Sequence, residues 1–455
     1  MKQTSAKPRV AFVGLGYVGL STAACFAKRG FVVHAVDVDK EKVERIQRGE
    51  LPFHENGLES LLQSSLRNGS LNLSSTYDRV AESEIVFITV GTPSNSDGSI
   101  DTKFVEAASG EIGRRLSSVS KYRLVVVKST VVPGTTETLV RPILERQSGK
   151  KVGNLLGLAA NPEFLHEGLA IKETYDPDAL VIGGHDKKAS ELLTRMYRSF
   201  YKRLPPTVTT TPSNAEMMKY AINGVRATQV SFVNMVADIC SRVPGSDMDE
   251  VRKGLSLVAK LDERYLSAGL GFGGSCLPKD ARALAAFAKS CSVDDSLISA
   301  ALIFNERRAR QAVMMAEGLG GPLAGKKVSV LGLAFKSGTD DVRESVSLSL
   351  TRILVESGAR VFVHDPIAME NARLVLGGAV SYSETVEACL KDSYCCFVAT
   401  GWPQYRGLRP HQVRTLMARP VIVDGRRVLK QRPFRNKGVL IATIGTGPTA
   451  QEPRN

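Results

Sequence analysis

The sequence predicts an α/β protein with two doubly wound parallel sheets, joined by a helical middle region that contains one long helix. Short apolar runs at 10–13 and 32–36 flank a helix-length segment, and the same alternation returns at 328–333 and 361–365. Buried parallel strands are short and apolar, and a helix usually forms each crossover between them. Between these two parts, residues 213–242 keep a helical pattern that would be about 45 Å long.

The first part of the chain predicts five strands, with a helix from about Val18 after the first. The last two strands end in polar residues, Lys128-Ser129-Thr130 and Asn161-Pro162-Glu163, at the edge where such sheets bind ligands. The predicted strands are 10–13, 32–36, 85–90, 124–127 and 155–160.

The long helix follows a break at Pro205-Pro206 and a threonine-rich run. Ser213 and Glu216 are spaced as a capping box, which predicts the helix start, and the pattern continues to about Arg242. Such a helix is expected as a spine between domains. It is equally consistent with a dimerisation element and with a buried core helix.

Two segments of the last part mirror segments of the first. Residues 86–93 are mirrored by 396–403, and 126–128 by 422–424. This weak self-similarity predicts two Rossmann-like sheets that flank the helical middle. The predicted domains are 1–205, 206–317 and 318–446, followed by a disordered tail, 447–455.

Composition indicates a folded, soluble protein of about three domains, since the 455 residues are 43% apolar and 23% charged. There is no run of about eighteen apolar residues and the N-terminus is polar, so we expect no membrane span, no secretory signal and a cytoplasmic location. Seven cysteines without a CxxC pair predict reduced thiols. The histidines form no metal-binding motif, so no metal is predicted.

The chain is basic, with 60 lysines and arginines against 46 acidic residues and a formal charge of +14. This balance favours an anionic partner without selecting one. Nucleic acid is one candidate, although no zinc-finger spacing or RNA-binding signature occurs, and an anionic small molecule fits as well. A late basic cluster contains Arg426, Arg427, Lys430, Arg432, Arg435 and Lys437.

A glycine motif, Gly14-x-Gly16-x-x-Gly19, follows the first strand and opens a helix. Glycines let a pyrophosphate approach the helix N-terminus, whose free amides and dipole attract it. Asp37 ends the second strand, where a carboxylate can accept both ribose hydroxyls of NAD and would repel the 2′-phosphate of NADP. Together they predict NAD, although Asp37 alone could be an ordinary turn residue.

A second glycine-rich segment, 269–274, precedes Cys276, Pro278 and Asp280. Pro278 predicts the first residue of a helix, which places Cys276 just outside its positive end. That position favours a nucleophilic thiolate, and Asp280 in the first turn would meet the same reacting centre. The plainer alternative is a small buried cysteine without chemical function.

Lys219 and Asn223 lie four residues apart and share one helix face. Their ammonium and amide groups could stabilise an oxyanion if that face meets the cysteine; otherwise they form a solvated stripe. Thr130 and Glu163 each follow a parallel strand at its carboxyl edge, where ligands bind, unless they only cap loops.

These motifs together resemble the nucleotide-sugar 6-dehydrogenases, the UDP-glucose/GDP-mannose dehydrogenase family, over nearly the whole chain. The resemblance implies a four-electron oxidation of the sugar's C6 alcohol to a carboxylate with two NAD molecules, UDP-glucose being the best-fitting substrate. It also implies that Cys276 holds the aldehyde as a thiohemiacetal and then a thioester. The motifs are 14–19 with Asp37, 90–93, 128–130, 161–168, 215–219 with Asn223, 271–280 and 335–345.

The resemblance also assigns roles by position, and it implies that the 318–446 domain binds the nucleotide sugar. The catalytic positions are Cys276, Lys219, Asn223, Asp280, Thr130 and Glu163. The cofactor positions are Gly14, Gly16, Tyr17, Val18, Gly19, Asp37, Lys42, Thr92, Thr130, Glu167, Lys279 and Arg343. The substrate positions are Glu163, Phe164, Leu165, Glu167, Lys219, Asn223, Lys260, Tyr265, Gly269, Gly273, Lys336, Arg426 and Arg427.

Some positions depart from the family's usual residues: Lys260 replaces an arginine, Val346 a proline and Gln229 a lysine. Lysine lacks the bidentate fork of arginine, which leaves the sugar contact of Lys260 open. GDP-mannose is the second candidate substrate and N-acetylated sugars are the third. Alternatives of other classes are a two-electron hydroxy-acid dehydrogenase with a structural Cys276 and a non-enzymatic nucleic-acid-binding protein. We expect a homodimer or higher homo-oligomer, with neither nucleic acid nor a membrane as partner.

Overall fold

The computed structural model describes residues 7–448. They form two compact units, divided between Ile222 and Asn223. Each unit contains one mainly parallel sheet with its own helices, which confirms the predicted α/β class. The three domains with boundaries at 205 and 317 stay a prediction.

The first unit contains an eight-stranded sheet. Its strands are β1 (Val10–Val13), β2 (Val33–Val36), β3 (Leu71–Ser74), β4 (Ile85–Ile88), β5 (Arg123–Val127), β6 (Leu156–Ala160), β7 (Leu180–Gly184) and β8 (Thr207–Thr210). Their order is β3-β2-β1-β4-β5-β6-β7-β8, and every neighbouring pair is parallel except β6 with β7. The five predicted strands are present as β1, β2, β4, β5 and β6, with ends shifted by at most two residues.

Helices and an aromatic core hold these strands in place. The helices are α1 (Tyr17–Lys28), α2 (Lys40–Gln47), α3 (Leu58–Arg67), α4 (Lys103–Leu116), α5 (Arg141–Ser148), α6 (Ala170–Tyr175) and α7 (Lys187–Phe200), and a π-type turn, Thr136–Val140, leads into α5. Phe12 stacks on Phe87 at 4.9 Å, and Phe26 stacks on Phe200 at 4.4 Å between ring centroids. Because Phe26 also meets both strand rings edge-on, α1 and α7 are fixed to β1 and β4.

The long helix α8 runs from Pro212 to Cys240. The predicted spine helix is therefore present, but the predicted capping box is wrong. Ser213 lies inside the helix, and the Glu216 carboxylate accepts the amides of Gly134 and Thr136 instead of an amide at the start of α8. Pro212 occupies the first turn, where an amide proton would have no helical partner.

The second unit contains a six-stranded parallel sheet in the same winding order as the first. Its strands are β9 (Lys327–Leu331), β10 (Arg360–His364), β11 (Ser381–Tyr382), β12 (Cys395–Val398), β13 (Val421–Asp424) and β14 (Leu440–Thr443). Its helices are α9 (Met248–Ala259), α10 (Leu277–Ser290), α11 (Ser296–Gly320), α12 (Val346–Glu356), α13 (Met369–Leu376), α14 (Val386–Leu390), α15 (Pro410–Leu416) and α16 (Gln431–Arg435). The strand order is β11-β10-β9-β12-β13-β14.

The predicted internal repeat is visible in this topology. β12 lies beside β9 as β4 lies beside β1, and β13 follows β12 as β5 follows β4. The first strand of each sheet leads into a glycine with positive φ, Gly14 at +100° and Gly332 at +99°. The second strand of each sheet leads into a buried aspartate, Asp37 or Asp365. Both sheets therefore reuse one strand-turn-helix plan.

The aspartate of the second repeat is fully hydrogen bonded. Oδ2 of Asp365 accepts the amides of Leu333 and Ala334 at 2.7 and 3.1 Å and the indole N–H of Trp402 at 3.0 Å. Its Oδ1 accepts two further backbone amides, at 3.0 and 2.9 Å. A carboxylate offers about four lone-pair sites, so five donors leave none for a ligand.

The chain remains ordered slightly beyond the predicted start of the tail. The Gly447 amide donates to the Ser246 carbonyl at 2.9 Å, and the Gly245 amide donates to the Pro448 carbonyl at 3.2 Å. The prediction of disorder is therefore wrong for these two residues, and 449–455 lie outside the described residues. From residue 7 to residue 448, no helix has the length and apolar character needed to cross a bilayer.

Candidate active site

The glycine-rich loop leaves room at the start of α1. Helix α1 begins at Tyr17 with Gly16 as its N-cap. A Cβ at Gly14 would lie 2.7 Å from the Val90 amide nitrogen, and a Cβ at Gly19 would overlap the Gly14 carbonyl. A Cβ at Gly16 would instead have no neighbour within 4 Å. The helix N-terminus therefore opens onto space that suits a dinucleotide pyrophosphate.

Asp37 lies where a ribose would follow. Its Oδ2 accepts the Leu15 amide at 2.7 Å and the Lys42 ammonium at 2.8 Å. Within the described chain its Oδ1 accepts one donor, the Asp39 amide at 3.1 Å. This carboxylate therefore keeps acceptor capacity for a ribose hydroxyl, unlike Asp365. The predicted cofactor residues of this loop fit NAD.

The turns after β4 and β5 are tied together at the carboxyl edge of the sheet. Thr92 Oγ1 donates to the Thr130 carbonyl at 2.9 Å, and Ser129 Oγ donates to the Val90 carbonyl at 2.6 Å. Val90 also packs against Gly14, so this edge adjoins the glycine-rich loop. The structure thus brings together two more predicted cofactor residues.

The loop after β6 holds a buried ion pair. Lys219 Nζ lies 3.0 Å from Oε1 of Glu163 and 2.7 Å from its carbonyl oxygen, and both side chains are buried. Burial raises the pKa of Glu163, but Lys219, the Leu165 amide and Lys128 together outweigh burial and hold this pKa below its usual value. Lys128 is buried too, donates to Asn161 Oδ1 at 3.2 Å, and has its pKa lowered to about 8 by burial. Glu163 is therefore ionised at neutral pH.

The predicted substrate residues around Glu163 lie on this same loop. The Lys219 ammonium lies 5.4 Å from the centroid of the Phe164 ring, and the Leu165 amide donates to the Glu163 carboxylate. Glu167 is buried as well. The loop therefore presents one aromatic face and two carboxyl side chains beside a fixed cation.

Glu55, which the sequence analysis missed, joins this loop to the glycine-rich loop. Its buried carboxylate accepts the hydroxyl of Tyr17 and, at 2.7 Å, the amide of Gly168. Both contacts lie more than thirty residues away along the chain. A loop carboxylate with distant partners leaves no periodic pattern in a sequence, so no local signal could have found it.

In the second unit, Cys276 is the N-cap residue of α10, at the position the sequence predicts. Its side chain is partly exposed, and its carbonyl accepts the Asp280 amide at 2.8 Å. The helix begins at Leu277, one residue earlier than predicted, and Pro278 is its second residue. Cys276 therefore lies at the positive end of a helix of 14 residues, a location that favours the thiolate.

Asp280 is buried in the first turn of α10, and both of its oxygens are engaged. Asn223 Nδ2 donates to Oδ2 at 2.6 Å, and Lys279 Nζ donates to Oδ1 at 2.6 Å. Lys219 and Asn223 are both buried, so they are not a solvated stripe on α8. Five of the six predicted catalytic residues thus form two groups, Glu163 with Lys219 in the first unit, and Cys276 with Asp280 and Asn223 in the second, while Thr130 lies in the turn after β5.

Four buried or partly buried polar residues, also missed, hold the segment before Cys276. Arg308 donates to the Gly269 carbonyl at 3.0 Å and to both oxygens of Asp238 at 2.7 Å. Asn234 accepts the Gly269 amide at 2.8 Å, and Asn305 makes two hydrogen bonds to the backbone three residues further on. Their signal is polar pairs at helical spacing on α8 and α11.

The same segment packs against the carboxyl edge of the second sheet. Arg426 donates to the carbonyls of Ala399 and Gly271 at 2.7 and 3.2 Å. The Gly274 amide donates to the Arg343 carbonyl at 3.0 Å, and a Cβ at Gly273 would overlap the Glu344 carbonyl. The predicted substrate residue Arg426 and the cysteine-bearing segment are therefore in direct contact.

Two of the predicted arginines already have carboxylate partners. Arg343 pairs with Asp341 through Nη2 at 2.7 Å and Nε at 2.9 Å. Arg427 pairs with Asp247 at 2.7 Å and Asp249 at 2.8 Å. Because their charges are balanced within the protein, their attraction for an anionic ligand is weaker than that of an unpaired guanidinium.

The remaining predicted substrate residues are spread over the second unit. Lys260 is exposed at the end of α9 with φ +56° and forms no hydrogen bond or ion pair within the described chain. The Tyr265 ring lies 4.8 Å from the Arg226 guanidinium, and Lys336 Nζ lies 5.5 Å from the Phe335 ring. Over residues 7–448, no three His, Cys, Asp or Glu side chains are grouped to hold a metal ion.

Three family models match the chain in order. Those of the NAD binding, central and UDP binding domains of the UDP-glucose/GDP-mannose dehydrogenase family match residues 8–201, 213–307 and 329–431. The chain is also 36% identical to UDP-glucose 6-dehydrogenase TuaD of Bacillus subtilis (strain 168), across 96% of this chain and 93% of that protein. The chain belongs to the UDP-glucose/GDP-mannose dehydrogenase family. This dehydrogenase is an NAD-dependent oxidoreductase that acts on a nucleotide sugar.

Solved structures agree with this membership. A UDP-glucose dehydrogenase from Pyrobaculum islandicum has a TM-score of 0.90 and 40% identity, covering 98% of this chain and 99% of that one. A UDP-D-ManNAc dehydrogenase from Pyrococcus horikoshii has a TM-score of 0.83 and 28% identity, covering 96% and 99%. The family resemblance, the fold class and the NAD cofactor predicted from sequence are confirmed for the dehydrogenase.

Proposed function

We propose that the dehydrogenase oxidises the C6 alcohol of UDP-glucose to the carboxylate of UDP-glucuronate in two steps. The observation that supports this most is Cys276 at the start of α10, with Asp280 buried one turn further along. NAD, when bound, accepts one hydride in each step. One water enters the reaction, and three protons leave with the two hydrides.

Cys276 makes the second step possible. The first loss of hydride turns the alcohol into an aldehyde. The aldehyde carbon still has a hydrogen but carries no hydroxyl group, so it cannot release a second hydride in the same way. Addition of the Cys276 thiolate to C6 forms a thiohemiacetal, from which the second hydride and the hydroxyl proton can leave. Water then hydrolyses the resulting thioester to the carboxylate and restores the thiol.

The buried donors would stabilise the negative oxygen on C6. Lys219 is oriented by Glu163, and Asn223 by Asp280, so both donors are fixed before substrate arrives. Donors fixed in this way lower the barrier because they need no reorganisation as charge develops. We assign water activation and proton transfer to the carboxylates Glu163 and Asp280, with Thr130 at the adjoining edge.

Arg426 is the side chain best suited to the nucleotide's diphosphate. Burial and, to a smaller extent, the neighbouring Arg308 lower its pKa to about 10, and Asp424 only partly opposes them. Within residues 7–448 no carboxylate forms an ion pair with Arg426, whose bonds go to two carbonyl groups. A partly buried guanidinium without a carboxylate partner gains most from a bidentate anion.

A panel of nucleotide sugars tests the substrate assignment. We expect UDP-glucose to give the highest kcat/KM and two NADH per sugar, measured by NADH absorbance with limiting sugar. GDP-mannose and UDP-N-acetylmannosamine are the essential comparisons, because one solved relative is a UDP-D-ManNAc dehydrogenase. A higher kcat/KM for either of them would reassign the substrate while keeping the reaction.

The panel also separates the other classes. One NADH per molecule with a hydroxy acid, at full rate after Cys276→Ser, would indicate a two-electron dehydrogenase. Steeply salt-dependent DNA binding, with no NADH formed from any nucleotide sugar, would indicate a nucleic-acid-binding protein. Either result would overturn the proposal.

We infer further that the dehydrogenase is a homodimer or a multiple of it. Four apolar side chains on one face of α8 are exposed: Val225, Phe232, Met235 and Ile239. Such a stripe on a long helix suits a second copy of the same chain. Light scattering should give at least a dimer, and Phe232→Glu should shift it toward monomer, whereas Leu374→Glu, at an exposed site on α13, should not. A monomeric wild type would contradict this inference.

The cytoplasmic location stays a prediction.

A further inference from the structure

Glu216 on α8 caps a helix from a distant part of the chain. Its carboxylate is buried, and its two oxygens accept the amides of Gly134 at 2.6 Å and Thr136 at 2.9 Å. These amides open the helical stretch 136–148, where the first amides have no partner within the helix. A carboxylate there satisfies the amides and interacts favourably with the helix dipole.

The capped turn is the one that carries Thr130. At its start, the Thr92 hydroxyl holds the Thr130 carbonyl at 2.9 Å. At its end, Gly134 adopts φ +95° and donates to Glu216. The turn is thus anchored to β4 on one side and to α8 on the other. On α8, Glu216 precedes Lys219 by three residues, and all of these residues belong to the first unit.

We propose that Glu216 is a positioning residue, which fixes Thr130 relative to the Lys219–Glu163 pair by capping the helix that follows the turn. The participation of Thr130 in the reaction rests on the function proposed above. The cap itself does not, and it can be measured without any substrate.

The charge of Glu216 has no cationic counterpart. In the described chain no lysine, arginine or histidine forms an ion pair with it, and the charged group that acts on it is Glu137. Glu137 is itself paired with His185 at 2.7 Å and Arg141 at 3.3 Å. The pKa of Glu216 is raised to about 7, chiefly by burial and also by Glu137, and hydrogen bonds from Thr136 and Gly134 only partly oppose this rise. The carboxylate therefore changes charge near neutral pH.

The two protonation states differ in their effect on the cap. The ionised carboxylate accepts both amides, whereas a protonated oxygen is a poorer acceptor. Because the pKa is raised in the folded state, the contribution of Glu216 to the stability of the fold declines as pH rises from the ordinary carboxyl value to about 7. The cap should strengthen over the same rise, so local protection of the capped helix and this contribution to global stability change in opposite directions.

Hydrogen exchange of the full chain without ligands tests the cap. At pH 8 we expect Glu216→Gln to speed exchange of the 131–142 peptide by about tenfold or more, with β5 still protected. Glu191→Gln is the control, which removes an exposed carboxylate on α7 and should leave this peptide unchanged at pH 8. Unchanged exchange in Glu216→Gln would overturn the proposal, whatever sugar the enzyme oxidises.

Two further measurements separate positioning from a purely structural role. With the sugar that the panel selects, Glu216→Gln should lower kcat about tenfold and change KM less than twofold. In wild type, protection of the 131–142 peptide, corrected for intrinsic rates, should fall as pH is lowered from 8.5 to 6. Should the variant fail to fold, this wild-type profile decides alone, and a flat profile would overturn the proposal.

Discussion

Cys276→Ser should produce no carboxylate: we expect at most one NADH per sugar and turnover lowered by about a thousandfold or more. A serine hydroxyl is almost entirely protonated at neutral pH, even at a helix N-terminus, so it adds to the aldehyde poorly. Rapid mixing with excess enzyme, read by NADH absorbance, counts the hydrides transferred. Mass spectrometry of the quenched wild type should detect the thioester, which the variant should lack.

Cys291→Ser is the matched control for this substitution. Cys291 is exposed at the other end of the same helix, as its C-cap. It therefore belongs to the same helix as Cys276 but does not lie at the positive end of the helix dipole. We expect full activity from this variant. Two NADH per sugar from Cys276→Ser would show that the sulfur does not carry the intermediate, and the mechanism proposed here would be wrong.

Lys219→Ala should lower kcat by about a hundred- to a thousandfold, the usual effect of removing one oxyanion donor. The dissociation constant for NAD should change by less than about threefold, because Lys219 holds the loop after β6, whereas we expect the NAD pyrophosphate at the glycine-rich loop. Fluorescence titration with NAD and steady-state kinetics measure the two quantities separately.

The same substitution leaves Glu163 buried without its principal cation. The pKa of Glu163 should then rise, since burial is no longer outweighed. The acid limb of the pH–rate profile should consequently move to higher pH. Lys187→Ala on the surface of α7 should change neither rate nor profile. If NAD affinity falls as far as kcat, Lys219 acts on the cofactor and its assignment is wrong.

The sheets were predictable because each central strand combines an apolar run with polar residues at its carboxyl end. Strands β3 and β8 escaped prediction because neither contains an apolar run: half of Leu71–Ser74 and three of the four residues of Thr207–Thr210 are polar. Strand β7, Leu180–Gly184, begins with three apolar residues but ends in two glycines, and its antiparallel pairing follows from no local pattern.

The site was predictable where a residue's role depends on its neighbours in sequence. The location of Cys276 just before a helix follows from Pro278, and the exposed start of α1 follows from glycine spacing. Glu55, Glu216 and Arg308 escaped because their partners lie 30 or more residues away. The capping-box prediction failed for the same reason, since the local spacing at Glu216 was overridden by two distant amides.

The two aspartates at equivalent places in the repeat have opposite chemical capacities. Asp365 uses every lone pair to accept hydrogen bonds from its own turn and from the Trp402 indole, so its role is structural. Asp37 retains an oxygen that can still accept a hydrogen bond from a ligand. Discrimination between cofactors with and without a 2′-phosphate must therefore reside in the N-terminal copy. Replacing the carboxylate of Asp365 would disrupt its turn without altering which dinucleotide is preferred.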